Sequence, residues 1–379
     1  MAAQRPAQAK IAGLEGLRGL MALWVIAGHL AATFGWQLGL IGRSTLAVDV
    51  FILLSGFVIT RLLDVKDEPF GVYILRRGFR IFPLYLIALF LSALLLDVQQ
   101  EAWAQVSALS PANVSRLRLV EEAGVNLPLH LLTHIPLAQG LIPEAISPRA
   151  AFTILGQAWS ISLEWQFYLV APALLACATS SKRWWLAAII VLALLAISPL
   201  FGKAFLGAKI LHFVIGGASY FLVTRGPSLT ALGLILAAAT GVIALEGKFQ
   251  VVALGVWFVA LTATVGRLPV IGAPIERVLS SSLLRWLGET SYSVYLIHMI
   301  PLYSSIVVFS RLGLTGASLS AGVVLATVVG SYVLSAATYY GIERRGIALG
   351  ARIAGKLQTL GCASASKSDP HLGDIGVQK

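Results

Sequence analysis

Residues 17–30 read LRGLMALWVIAGHL. This run predicts a helix long and apolar enough to enter a bilayer, and it carries two ionisable side chains, Arg18 and His29. A histidine inside a membrane-length apolar run is costly, so it is a functional candidate by default. Eleven positions at about 100° each come to roughly 1100°, within about 20° of three full turns. Arg18 and His29 therefore share one helix face, separated by roughly 16 Å along the axis. The alternative for Arg18 is a helix-end cation snorkelling to the interface. For His29 it is an imidazole satisfied by a neighbouring carbonyl.

The surrounding chain repeats the membrane signature. Of 379 residues, 58% are hydrophobic and only 12% charged, where a soluble domain would carry about 25% charge. The fold class expected is all-α: a polytopic membrane protein with about ten transmembrane helices. The spans fall near 17–35, 46–63, 79–97, 151–176, 184–198, 205–223, 229–245, 250–266, 286–310 and 318–342, each near the roughly 20 residues that cross a hydrocarbon core. With the N-terminus inside, all but eight of the 28 basic residues fall on the inner side, which predicts both termini cytoplasmic. The net charge of +11 thus reads as topology, and nucleic acid is not an expected partner. Residues 1–345 are expected to form the membrane domain and 346–379 a cytoplasmic, largely disordered tail. No cleaved signal is expected at the N-terminus. Cys177 and Cys362 have no metal-spaced partners, so neither a disulfide nor a metal site is expected.

Several further segments carry chemistry. Asp49, in AVDVFILLSGFVITRLL (47–63), should lie at a depth similar to His29, where it either orients and charges the imidazole or caps its own helix. Ser55-Gly56 suits close helix packing. Arg77 and Arg80, in YILRRGFRIFPLY (73–85), are neighbours on one helix face. They suit phosphate, although basic residues at an inner helix end are also ordinary topology determinants. QAWSISLEWQFY (157–168) packs Trp159, Ser162, Glu164 and Tyr168 into about three turns, a polar cluster that should line a cavity or bond between helices. LGETSYSVYLIH (287–298) sets Ser291, Tyr295 and His298 on one face, making His298 a rival to His29. Glu343, in YYGIERR, closes the last span.

Together these segments resemble acyltransferase family 3, integral membrane proteins that include bacterial O-antigen and exopolysaccharide acetyltransferases. The resemblance rests on Arg18 and His29 at R-x10-H spacing, VDVFILLSGFVI (48–59), Arg77-x-x-Arg80 before Ile-Phe-Pro-Leu-Tyr, WSISLEWQFY (159–168) and GETSYSVYLIH (288–298), in the family's order. One departure is Arg345, where the family often has proline after Ile-Glu-Arg. The resemblance implies an acyl-CoA donor, usually acetyl-CoA, bound from the cytoplasm, and a carbohydrate or lipid-linked glycan acceptor at the cell envelope. It puts His29 at the catalytic centre and Arg18, Arg77 and Arg80 in donor handling.

The resulting expectation is O-acetylation of a polysaccharide in the bacterial inner membrane. His29 acts as general base, and Asp49 or, second, Glu164 serves as its partner. A covalent acyl-histidine is the rival route. Trp159, Ser162, Tyr168, Tyr295 and His298 are expected around the substrate cavity. Membrane lipids are the expected surroundings, and the sequence allows a homo-oligomer. The alternative class is a transporter or flippase for a glycan or lipid-linked precursor.

Overall fold

A computed structural model describes residues 12–266 and 271–367, with side chains to 359. Within them the chain is helical and holds no strand, only an isolated bridge between Pro143 and Phe201. The first three helices are α1 (Ala12–Phe34), α2 (Ser44–Val65) and α3 (Phe70–Leu94). The stretch between the expected spans at 79–97 and 151–176 is itself helical: α4 (Leu96–Gln105), α5 (Pro111–Val125) and α6 (Leu127–His134). Then follow α7 (Trp159–Ala178), α8 (Trp184–Ile197), α9 (Ile210–Thr224), α10 (Leu229–Glu246) and α11 (Gln250–Thr264). Short helices α12 (Gly272–Leu279) and α13 (Ser282–Glu289) precede α14 (Ser291–Ile297) and α15 (Met299–Arg311). The chain ends in α16 (Gly316–Thr338), a π-helical turn (Tyr339–Glu343) and α17 (Arg344–Lys367).

Six helical stretches among the described residues are long and apolar enough to cross a bilayer, and a seventh forms if α14 and α15, bent by 42°, count as one span. Three shorter apolar helices, around α8, α9 and α11, sit where the other expected spans lie. The outward faces are those of a membrane protein. Leu236 is 66% exposed on α10 and Leu325 67% on α16, an apolar exposure that suits lipid rather than water.

Helix contacts are tight where side chains are absent. A Cβ on Gly288 would lie 1.8 Å from the carbonyl oxygen of Glu15, so α13 rides directly on the backbone of α1. Gly56 does the same for α2 against α9, where a Cβ would meet the Phe213 carbonyl at 2.4 Å. The packing role expected for Ser55-Gly56 is therefore met at Gly56, by backbone approach. Aromatic rings fill the adjoining space: Phe57 lies edge-on to Tyr220 and Trp257, and Phe167 stacks on Phe213.

The expected tail needs correction. From residue 346 the chain continues as α17, which packs along α3 and buries Ala354. An apolar stripe in that stretch gives the helix a surface to cover. The rest of the expected tail, 368–379, lies outside the described residues.

Candidate functional site

Arg18 and His29 occupy the same helix, α1, but line two different cavities. The first cavity is walled by Glu15, Arg18, Ser55, Arg77, Arg80, Ser160, Glu164, Tyr168, Ser291 and Tyr292. The second is walled by His29, Gln99, Trp103, Arg116, Arg149, Thr153, Gln157, Trp159, Met299 and Tyr303. Val48 and Tyr295 belong to both walls, so they stand at the boundary, or neck, between the two.

The Arg18 cavity gathers three arginines from two helices. The buried Nε atoms of Arg18 and Arg77 have no hydrogen-bond partner. Three guanidinium groups at one cavity wall suit an anionic ligand with several oxygens. Arg77 also lies over the ring of Tyr168, 5.8 Å from its centroid. Glu164 accepts hydrogen bonds from Tyr168 (2.5 Å) and Ser55 (2.9 Å). Glu343 is turned inward by the π-helical turn, accepts from Ser293 at 2.7 Å, and its charge interacts with those of Arg80 and Arg18. π-turns recur at functional sites because they re-aim side chains in this way.

His29 has partners the sequence did not suggest. Arg116 Nη2 lies 3.1 Å from His29 Nδ1, while Arg116 Nη1 donates to Thr33 Oγ1 and Asn113 Oδ1. A guanidinium only donates, so Nδ1 of His29 accepts and the neutral ring carries its hydrogen on Nε2. The His298 ring lies 5.1 Å from that of His29, centroid to centroid. His298 Nδ1 faces the carbonyls of Tyr295 (2.9 Å) and Val294 (3.2 Å), so it holds the hydrogen and leaves a lone pair on Nε2. That Nε2 is buried and unpartnered.

The bend at α14–α15 explains this posture. Pro301 lacks the N–H that would serve the Ile297 carbonyl across the break, and the His298 imidazole folds back onto the preceding turn, against the Val294 and Tyr295 carbonyls. His298 itself is fully buried and lines neither cavity.

Two expected pairings do not form. Asp49 does not meet His29. Its carboxylate pairs with Lys209 (2.6 Å) and accepts from Gln250 (2.8 Å). The reason is the neighbouring residue: Val48 faces the neck, and one further step of about 100° turns Asp49 towards α9 and α11. Lys209 also contacts Glu246, and His212 Nδ1 stands 3.6 Å from Glu246. Glu164, the second choice, sits in the Arg18 cavity.

Asp49, His212 and Glu246 offer three ligand atoms within 4.8 Å of one another. The Lys209 ammonium already stands against both carboxylates, where a metal ion would have to sit. Ser162 lines neither cavity either. It lies about 200° around α7 from Glu164, and it donates to the Leu137 carbonyl at 2.7 Å. Trp159 lines the His29 cavity, Tyr168 the Arg18 cavity and Tyr295 both.

A sequence profile of the acyltransferase domain matches residues 11–337, most of the chain. The chain belongs to acyltransferase family 3. No curated protein and no solved structure matches it. Acyltransferase family 3 is a family of membrane enzymes, and both cavities lie within the matched residues.

Arg116 is the site residue that sequence reading missed in this acyltransferase. It stands in a polar segment among ordinary surface residues, 87 positions from His29. Burial pushes its pKa down to about 10, with no carboxylate to oppose the shift. Lys209 was missed for a different reason: it reads as an outer basic residue until its carboxylate partners are seen.

Proposed function

We propose that the protein moves a short acyl group, usually acetyl, from acyl-CoA to a hydroxyl of a cell-envelope carbohydrate. The observation that carries this reading is the pair of neighbouring cavities that share Val48 and Tyr295 in their walls. In this reading both termini are cytoplasmic and about ten helices span the bacterial inner membrane. The Arg18 cavity then opens inward and the His29 cavity outward.

Phosphates of the donor meet Arg18, Arg77 and Arg80. The pantetheine arm runs along the face of α1 shared by Arg18 and His29, and the thioester reaches the neck. The acceptor hydroxyl enters from the His29 side. His29 takes the hydroxyl proton as the oxygen attacks the thioester carbonyl, the carbon–sulfur bond breaks, and the departing thiolate receives the proton. Arg116 must leave the Nδ1 lone pair for that nitrogen to act as base. His298 stands beside the imidazole where a carboxylate was expected.

The test is release of CoA by the purified protein given acetyl-CoA and a polysaccharide acceptor, with acetylation read by mass analysis of the glycan. His29→Ala should abolish transfer while the protein keeps its thermal unfolding temperature. Near-normal turnover in that variant would falsify the proposal. Transport of the glycan across vesicles without CoA release would favour the flippase reading.

A further inference from the structure

The His29 cavity contains a cation with no counter-ion. Arg116 is half-buried, with its guanidinium held by Thr33, Asn113 and His29 and seated 4.8 Å from the centroid of the Trp103 ring. None of these partners is charged while His29 is neutral. No carboxylate lies within ion-pair distance of Arg116 among the described residues, and none lines the cavity.

A second arginine, Arg149, stands at the same wall, exposed, and donates to Ser115. The nearby acids are engaged elsewhere. Glu144 accepts the backbone N–H of Arg149, and Glu122 accepts from Ser147. Neither side chain reaches the cavity wall.

A desolvated cation without an opposing charge is expensive to keep. The cost is recovered when a ligand supplies the missing anion, since a charged oxygen on a guanidinium makes a short, strong hydrogen bond. The rest of the wall suits a sugar ring: Trp103, Phe152, Trp159 and Tyr303 give apolar faces, and Gln99, Thr153 and Gln157 give polar ones. The cavity volume of 420 Å³ falls in the range of ligand pockets, about 300–1,000 Å³.

We infer that the acceptor taken by the His29 cavity carries its own negative charge, bound by Arg116 with help from Arg149, on or beside the sugar that is acylated. The inference rests on reading that cavity as the acceptor side. It has a mechanistic consequence. The anion draws the guanidinium away from His29 Nδ1 and exposes the lone pair, so the base is unmasked only when a charged acceptor is in place. The anion is either a ring carboxylate or a glycosyl phosphate, and the probes below separate the two.

The test uses the full chain purified in detergent, with its thermal unfolding followed against glucose, glucuronate, glucuronate methyl ester and glucose 1-phosphate. Glucuronate or glucose 1-phosphate should raise the unfolding temperature, and whichever does so identifies the anion. Glucose and the methyl ester should not, and added salt should weaken the effect. Arg116→Gln should lower affinity for the stabilising anion by on the order of ten- to a hundredfold, the usual weight of a charge-assisted hydrogen bond. If Arg116→Gln fails to fold, Arg116→Lys, which keeps the charge but loses the fork, should still bind with affinity reduced by roughly tenfold. Arg149→Gln should weaken binding by a smaller factor.

The inference is overturned if the neutral sugars stabilise as well as the anions, if neither anion stabilises, or if the Arg116 variants bind like wild type. CoA release from acetyl-CoA, measured separately on the same preparation with a polysaccharide acceptor, reports on the acyltransferase reading alone. Failure of one is therefore distinguishable from failure of the other.

Discussion

Arg116 Nη2 lies 3.1 Å from His29 Nδ1. The contact joins a side chain of α5, outside the long apolar helices, to the histidine of the first helix. It puts a donor-only group on the nitrogen that the proposed mechanism uses as its base. In the Arg18 cavity, by contrast, the buried Nε atoms of Arg18 and Arg77 have no hydrogen-bond partner.

Arg77→Ala should raise the KM for acetyl-CoA by roughly ten- to a hundredfold, because one charge-assisted contact is lost. The maximal rate should change much less, as expected when binding to ground state and transition state is lost equally. Steady-state kinetics at saturating acceptor check this. An unchanged KM would return Arg77 to a topological role.

In the proposed reading Val48 and Tyr295, which line both cavities, set the width of the neck that the acyl group passes. Val48→Ala should widen it and shift the ratio of turnover with hexanoyl-CoA over acetyl-CoA upward by about tenfold, the scale on which a pocket discriminates small changes in apolar volume. A ratio that stays fixed means the acyl chain does not pass between these residues.

The Asp49–Lys209 pair is a stability element. Asp49 has no exposed surface, and the Lys209 side chain is 8% exposed. Asp49→Asn should cost about 1.5–3 kcal/mol, because the ammonium loses its fully buried carboxylate partner while keeping Glu246. The double variant Asp49→Asn with Lys209→Met should lose less than the two single losses combined, because Glu246, 21% exposed and bonded to Gln250, keeps water and a donor. Thermal unfolding of the single and double variants checks the coupling. Strictly additive losses count against the pair.

Gly288→Ala should destabilise the protein by about 1–3 kcal/mol or force α13 off α1, since overpacking is paid in backbone shifts. The new Cβ would lie 1.8 Å from the Glu15 carbonyl oxygen. Gly255 has open space around it, so Gly255→Ala should leave the unfolding temperature nearly unchanged. Comparison of the two variants separates close approach from helix propensity.

Much of this architecture was legible before any coordinates. Apolar periodicity and length locate the helices, because a bilayer-spanning segment must satisfy its own backbone. The R-x10-H spacing places Arg18 and His29 along one face, because helical geometry is local. The motifs from Arg18 to His298 lead to the family. The separation of Ser162 from Glu164 also follows from helix geometry, yet it becomes meaningful only when one face of α7 is known to border a cavity.

Partners are a different matter. Helical register states which residues share a face, but not which neighbouring helix that face meets. Asp49 turns to Lys209 and Gln250 because α9 and α11 pack against α2. His29 receives Arg116 because α5 folds back onto α1 across 87 residues of chain. His298 is tied to its own carbonyls by a bend that its sequence neighbours begin and the surrounding helices hold. The sequence by itself determined the long apolar helices, the membrane setting, the family and the line from Arg18 to His29. Only the tertiary structure decided that two cavities meet at Val48 and Tyr295, and that a cation, not a carboxylate, stands against the histidine. The physical reason is range: backbone hydrogen bonding and side-chain periodicity act within a few turns, whereas a buried charge is answered by whatever packing brings within about 4 Å of it.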